Sequence, residues 1–349
     1  MTNGLEETMT SVYNRILGLL AILLVIPACM KLEQEPLADQ DIIGFNVVEQ
    51  NLKTKAAFST SSTFMTLAYK LGAGKTWAAD YNSATHEFGP ETVSYQTEGY
   101  WTTSTKHYWP DAGSLTFFSY SLANMNSAPS PTISISGVSL NDYSVTTNPN
   151  GEILVADIAM DKTKNESYAG FTGVPTHFKH KLSKVQFKLA LSQYAEAGTV
   201  VTLTGLELID IYTVGDYKYG GYAGDFWDGY SGLRAAATDP LEVWSGSQEL
   251  GNTLEDFGNA TIVIPQTLTN ISASQHAGVR VKYTIKVGSS TENKVVDCYF
   301  DDHFKSGIWE KGKIYTYKIH IGVGLYPILF DGSVGDWGSS NGGDVQIGG

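Results

Sequence analysis

Apolar residues in this chain recur mostly at every second position, in short β-branched runs closed by Gly, Ser, Thr or Pro, and this period of two is what most limits its fold. Side chains of an extended strand alternate between faces, whereas an amphipathic helix needs apolar positions three and four apart. The pattern predicts strands at Ile42–Val48, Phe64–Tyr69, Leu115–Tyr120, Thr132–Ile135, Ile153–Ile158, Ser183–Ala190, Val200–Ile211, Thr261–Ile264, Val279–Val287, Lys294–Phe300 and Tyr315–Val323. The one helical stretch, Gln193–Gly198, is too short to form a layer. Short strands at this density point to an all-β protein of sandwich type rather than to parallel α/β units. No tandem repeat of about 20–50 residues is visible, which disfavours a solenoid or propeller.

The first thirty residues obey a different rule. Arg15 precedes the run Ile16–Ile26, basic then apolar and too short to span a bilayer comfortably, as in a signal peptide. Glu6 and Glu7 sit badly in such a leader and make Met9 the better start. Ile26-Pro-Ala-Cys29 follows, similar to the lipobox cut by the bacterial lipoprotein signal peptidase, and predicts a signal peptide of residues 1–28 with lipid on Cys29. Two or more acyl chains, each methylene worth about 0.8 kcal/mol when buried, would hold that end in the membrane. Residues 29–40, polar with Pro36, read as a lipidated tether.

Removing residues 1–28 leaves one thiol, Cys298, so no intramolecular disulfide can staple the remaining 321 residues. The core has to be hydrophobic, and a chain of this length suggests two domains. The Gly and Pro cluster Gly170–Pro175 places their boundary at about 173, giving β-sandwich domains over 41–173 and 174–349. The formal charge of −13 falls only to −12 without the leader, a surface that repels phosphate backbones and excludes nucleic acid as a partner.

Groups able to do chemistry are sparse. No Gly-x-Ser-x-Gly elbow, His-Glu-x-x-His or Walker loop occurs, so neither an enzyme nor a cofactor is expected. His177 and His180, three apart on a strand, face opposite ways. Asp301-Asp302-His303 reads as a charged turn, Gly72–Lys75 as a hairpin turn, and Cys298 as a buried, inert thiol. The most suggestive segment is Gly215–Tyr230, where Tyr217, Tyr219, Tyr222 and Trp227 alternate with Gly and Asp. Such a loop could stack a sugar or grip a partner protein, or be a long hairpin whose aromatics cover the sandwich.

Several segments, in order, resemble the fimbrillin family, the lipoprotein-derived type V pilins and their accessory subunits. They are Tyr108-Trp-Pro-Asp-Ala-Gly-Ser-Leu-Thr-Phe-Phe-Ser-Tyr120, Leu154-Val-Ala-Asp157, Phe178-Lys-His-Lys-Leu-Ser-Lys-Val-Gln-Phe187, Val263–Leu268, Trp309–Tyr317 and Ile328–Trp337. The resemblance implies two transthyretin-like Greek-key β-sandwich domains and polymerisation by donor-strand pairing with other pilin subunits, after a protease removes the first strand. It also implies adhesion to a host protein or glycan receptor. Stalk members are cut at Arg or Lys in the first domain. The only arginines here are Arg15, Arg234 and Arg280, which leaves Lys53 and Lys55 as substitutes, unless they are ordinary loop lysines. The tail Gly338–Gly349 offers only Val345 and Ile347 as alternating anchors, so a tip, accessory or anchor subunit fits as well as a stalk. A monomeric, glycan-binding surface lipoprotein is the alternative reading.

Overall fold

The structure, a computed structural model, describes residues 42–49, 61–97, 100–164, 167–168, 171–192, 197–219, 224–235, 238–269, 276–300, 307–322, 328–337 and 345–346. Residues 43–349 belong to one compact unit, and the described part is almost entirely strand, numbered below in chain order.

Eight strands make the first sheet: β1 (Phe45–Glu49), β2 (Thr63–Leu71), β3 (Thr85–Tyr95), β4 (Trp101–Thr103), β5 (Ser114–Ala123), β8 (Glu152–Ala156), β9 (Ala159–Lys162) and β12 (Val174–His180). Their order is β2-β3-β4-β1-β12-β8-β5-β9, and β2 also pairs with β5 from Met65↔Tyr120 to Leu71↔Ser114, so the sheet closes on itself. Closure removes the free edges that an open sheet would expose. The turn at Gly72–Lys75 does not join β2 to β3 directly; a one-turn helix α1 (Trp77–Asp80) follows it and buries Trp77. A two-stranded ribbon, β10 (Ser167–Tyr168) with β11 (Phe171–Thr172), lies apart from the larger sheets.

The C-terminal half stacks two sheets. One runs β18-β13-β21-β22-β23, from β13 (Ser183–Leu191), β18 (Glu255–Val263), β21 (Lys313–Ile321), β22 (Leu329–Asp336) and β23 (Val345–Gln346). The other runs β17-β14-β19-β20, from β14 (Thr199–Ile209), β17 (Leu241–Glu249), β19 (Gly278–Val287) and β20 (Ser290–Tyr299). Alternation dictates what they bury. Val185, Phe187 and Leu189 of β13, Tyr315, Tyr317 and Ile319 of β21, and Val279 and Val281 of β19 all enter one core, while Lys184, Gln186 and Lys188 point away. Trp309 anchors that core, its indole N–H donating to Tyr317 Oη at 2.7 Å. Cys298 lies in it too, and burial pushes its thiol up to about 11, beyond ready ionisation.

A four-stranded sheet, β16-β15-β7-β6, joins the halves: β6 (Thr132–Ser134) and β7 (Gly137–Ser144) come from the first, β15 (Ile211–Tyr219) and β16 (Asp225–Arg234) from the second. β14 becomes β15 through the single residue Asp210, which has φ of 53° and donates its N–H to Arg234 O at 2.7 Å. Because β14 pairs with β17 and β15 with β16, one long two-stranded ribbon bends from the C-terminal sheets onto the N-terminal ones. β5 is buried on both faces as a result. Leu115 and Phe117 point into the closed sheet, while Phe118 and Tyr120 meet Leu140, Tyr143 and Tyr217 outside it. The boundary expected at 173 falls just before β12, which still belongs to the first sheet; the change of sheet comes at Lys181 and Leu182.

Candidate functional site

Two places combine unusual geometry with residues singled out by the sequence: the first strand, and the hairpin of β15 and β16.

β1 is five residues long and runs parallel to β12, in register from Phe45↔Val174 to Glu49↔Phe178. On its other side it meets β4 through one pair, Phe45↔Trp101. Its alternation sends Ile43 and Phe45 into the closed sheet, where Phe45 makes edge-to-face contacts with Phe64 and Phe117, ring centroids 5.7 Å apart in each case. Val174 N donates to Gly44 O at 2.8 Å, Ile43 N to His107 O at 2.8 Å, and Thr102 Oγ1 to Ile43 O at 2.9 Å. Gly173, with φ of 129°, admits β12 beside this strand; a β-carbon there would stand 3.0 Å from Gly44 O. β1 is thus a stave held by one full ladder, two buried side chains and a few hydrogen bonds. Burying Ile43 and Phe45 contributes about 3–6 kcal/mol. Without β1, β12 would keep β8 but lose its partner along the opposite edge, and an apolar slot would open.

The segment Gly215–Tyr230 is a hairpin, not a loop of free aromatics. Tyr217 is fully buried, and its hydroxyl donates to Asp225 Oδ2 at 3.2 Å. Trp227 is 8% exposed, donates its indole N–H to Lys181 O at 2.8 Å and packs on Tyr143 and Tyr217. Of the two arrangements the sequence leaves open, Tyr217 and Trp227 take the packed one, with neither ring face open to a sugar. Tyr219 is half-buried, with its hydroxyl bonded to the backbone of Ile158 and pushed up to about 12 by burial.

At the head of that hairpin lies a charged cluster that spacing could not reveal. Lys181 Nζ stands 2.7 Å from Asp225 Oδ2, with side chains only 6% and 12% exposed, and Lys311 Nζ donates to Asp225 O at 2.6 Å and to its carboxylate. Burial by itself would raise the Asp225 carboxyl; Lys181 and then Lys311 more than reverse this and hold it down at about 2. Burial lowers Lys181, with Asp225 opposing. The turn at Lys311 and Gly312 is tied in by Gly312 N donating to Leu182 O, and Trp337 N donating to Gly312 O, both at 2.8 Å. Gly312, with φ of 72°, is the left-handed residue that turn requires. His180 stacks on Trp337 at 4.1 Å, and Lys184 Nζ lies 4.0 Å from the same ring.

Cys29, Lys53, Lys55, Tyr222 and Asp301–His303 lie outside the described residues. Among the described residues no helix is long and apolar enough to cross a membrane.

Residues 75–337 match the model of a family described as fimbrillin-like. No curated protein matches the sequence. Among solved structures, a fimbrial protein from Bacteroides vulgatus superposes with a TM-score of 0.55 at 16% identity, over 85% of this chain and 99% of that one. That likeness concerns the fold alone. The tip fimbrial protein Mfa3 from Porphyromonas gingivalis, with a C-terminal truncation, aligns over 79% of this chain and 94% of its own at 10% identity and a TM-score of 0.37.

Proposed function

The chain belongs to the fimbrillin-like family, and on that premise we propose that it is a cell-surface fimbrial subunit that assembles by exchange of its first strand. The observation that carries this reading is the way β1 is held: five residues, one full ladder with β12, one pair with β4, and Ile43 and Phe45 filling an otherwise apolar slot. Lys53 and Lys55 follow β1 closely in the sequence, so a cut after either would leave it attached only by noncovalent contacts. An extended segment from a neighbouring subunit could then pair with β12 and place apolar side chains where Ile43 and Phe45 sat, a β-augmentation that needs no catalysis. The N-terminal and C-terminal halves act as the two domains of such a subunit, with the seam at Lys181 and Leu182. In this reading lipid on Cys29 carries the chain to the outer membrane. A subunit that stays uncut keeps the lipid and serves as a tip, accessory or anchor component. The work is adhesive and structural, not enzymatic.

Outer-membrane extracts from the native cells, run on gels with and without heating, test this reading. High-mass, heat-labile assemblies containing this chain are expected, and they should shrink when Lys53 and Lys55 are both replaced by Gln. The chain running only as a monomer, and never co-purifying with other pilins, would refute assembly. Intact mass separates the two fates of the N-terminus: a start at lipidated Cys29, or one near Lys55.

A further inference from the structure

A cleft of about 630 Å³ opens where the end of β12, the start of β16, the turn before β21 and the end of β22 converge. Its size suits a small ligand rather than a groove for a folded partner. The Lys181–Asp225–Lys311 cluster lies in its wall, and two further ion pairs line it, Lys179 with Asp157 at 2.7 Å and Lys313 with Asp336 at 2.6 Å. Four lysines against three aspartates give the lining a positive balance in a chain of formal charge −13.

The strongest pointer to a ligand is Lys181. Its ammonium carries three donors on a side chain only 6% exposed, pairs with Asp225 Oδ2 and lies 6.0 Å over the ring of Tyr219. A buried ammonium gains from each further oxygen acceptor that reaches it, and most from a charged one. Lys311, 40% exposed on the same carboxylate, presents a second cation beside it.

We propose that this cleft binds an acidic sugar, a uronate or sialate residue, whose carboxylate reaches Lys181 and Lys311 while its hydroxyls meet the aspartates and lysines of the surrounding lining. The alternation of cations and anions selects this class. A ligand with one carboxylate among many hydroxyls can donate to Asp157 and Asp336 and accept from Lys179 and Lys313. A polyanionic peptide would set its extra carboxylates against Asp157, Asp225 and Asp336. Neutral sugars could accept from Lys181 through their hydroxyls but would bring no negative charge to the Lys181–Asp225–Lys311 cluster. The site does not depend on strand exchange, since all of its residues lie in one chain.

The test is calorimetric titration of the complete chain, in monomeric form, with N-acetylneuraminate, galacturonate, galactose and acetate. At least one acidic sugar is expected to bind, with galactose and acetate each at least about tenfold weaker. Lys311→Gln should weaken that binding about tenfold or more, since it removes one charged donor from an exposed stem. Lys179→Gln and Lys313→Gln should each weaken it about two- to threefold. Unchanged melting temperature in these variants checks that the fold is intact. Failure of both acidic sugars to bind overturns the proposal, as does binding that Lys311→Gln leaves unchanged. Acetate binding as tightly as the sugars would make this a simple anion site and also overturn it. So would an acidic peptide such as tetraglutamate competing more strongly than either sugar.

Discussion

The two halves of the molecule are built from equally apolar strands but are closed in different ways. The C-terminal sheets rest on long ladders: β19 and β20 form a hairpin paired without interruption from Gly278↔Tyr299 to Val287↔Ser290, and β13 runs parallel to β21 from Lys184↔Ile314 to Leu191↔Ile321. In the N-terminal sheet, the link between β4 and β12 is a five-residue strand from the start of the compact unit, parallel to a partner more than a hundred residues away. Both halves carry the loop-closure cost of a parallel pair of distant segments, but β13 is laddered to β18 along its other edge, whereas β1 has only the pair Phe45↔Trp101 on its own. The difference teaches where this protein can open. In the proposed exchange the seam around β1 is the one that opens, while the C-terminal core stays whole.

Cutting the chain after Glu49 and removing the released segment should have the largest effect. Amides of β12, β8 and β5 are expected to lose most of their protection in hydrogen exchange, while those of β14 and β19 keep theirs. A synthetic peptide of residues 42–49 should restore the lost protection; uniform loss across both halves would break the comparison. Next, Phe45→Ala should destabilise the N-terminal half by about 3–5 kcal/mol in urea unfolding, as expected for truncating a fully enclosed aromatic. Asp225→Asn comes third, at about 3 kcal/mol, because it leaves the buried Lys181 without its counter-ion. Acid should report on the same residue. The Asp225 carboxyl sits at about 2 in the fold against 3.8 for an ordinary aspartate, so its stabilising contribution is complete above about pH 4 and is lost as pH falls towards 2. A thermal-melting series should show this limb flattened in Asp225→Asn. Smallest of all, Val295→Ser on β20, 61% exposed, should change stability by less than about 0.5 kcal/mol.

The strands most legible in the sequence were those with one wet and one dry face, such as β13, β19 and β21. Tyr315, Tyr317 and Ile319 alternate as simple pleating requires. The strands that escaped notice carry breakers or charges. β3 contains Gly89 and Pro90, and Pro cannot donate to a ladder. β16 carries Gly229 and Gly232 in left-handed conformations together with Asp225 and Asp228, a composition that reads as a loop. For that reason the sequence leaves open whether Tyr217 and Trp227 bind or pack, and the structure buries both. Asp225 was visible only as a carboxylate among aromatics. Its partners Lys181 and Lys311 are 44 and 86 residues away, brought together by the ribbon and by the turn at Gly312, and no periodicity encodes such a meeting. β1 itself was legible as a strand, but its parallel pairing with β12 was not.

The bend at Asp210 has a mechanical meaning. The chain passes between the N-terminal and C-terminal sheets at Lys181 and Leu182, at Asp210, and again between Arg234 and Leu241, so three covalent strands cross that seam. A pull that separates the halves is shared among three threads, two of them clamped side by side by Asp210 N–H on Arg234 O. Such a tie resists tension by distributing load, in the manner of a doubled cord.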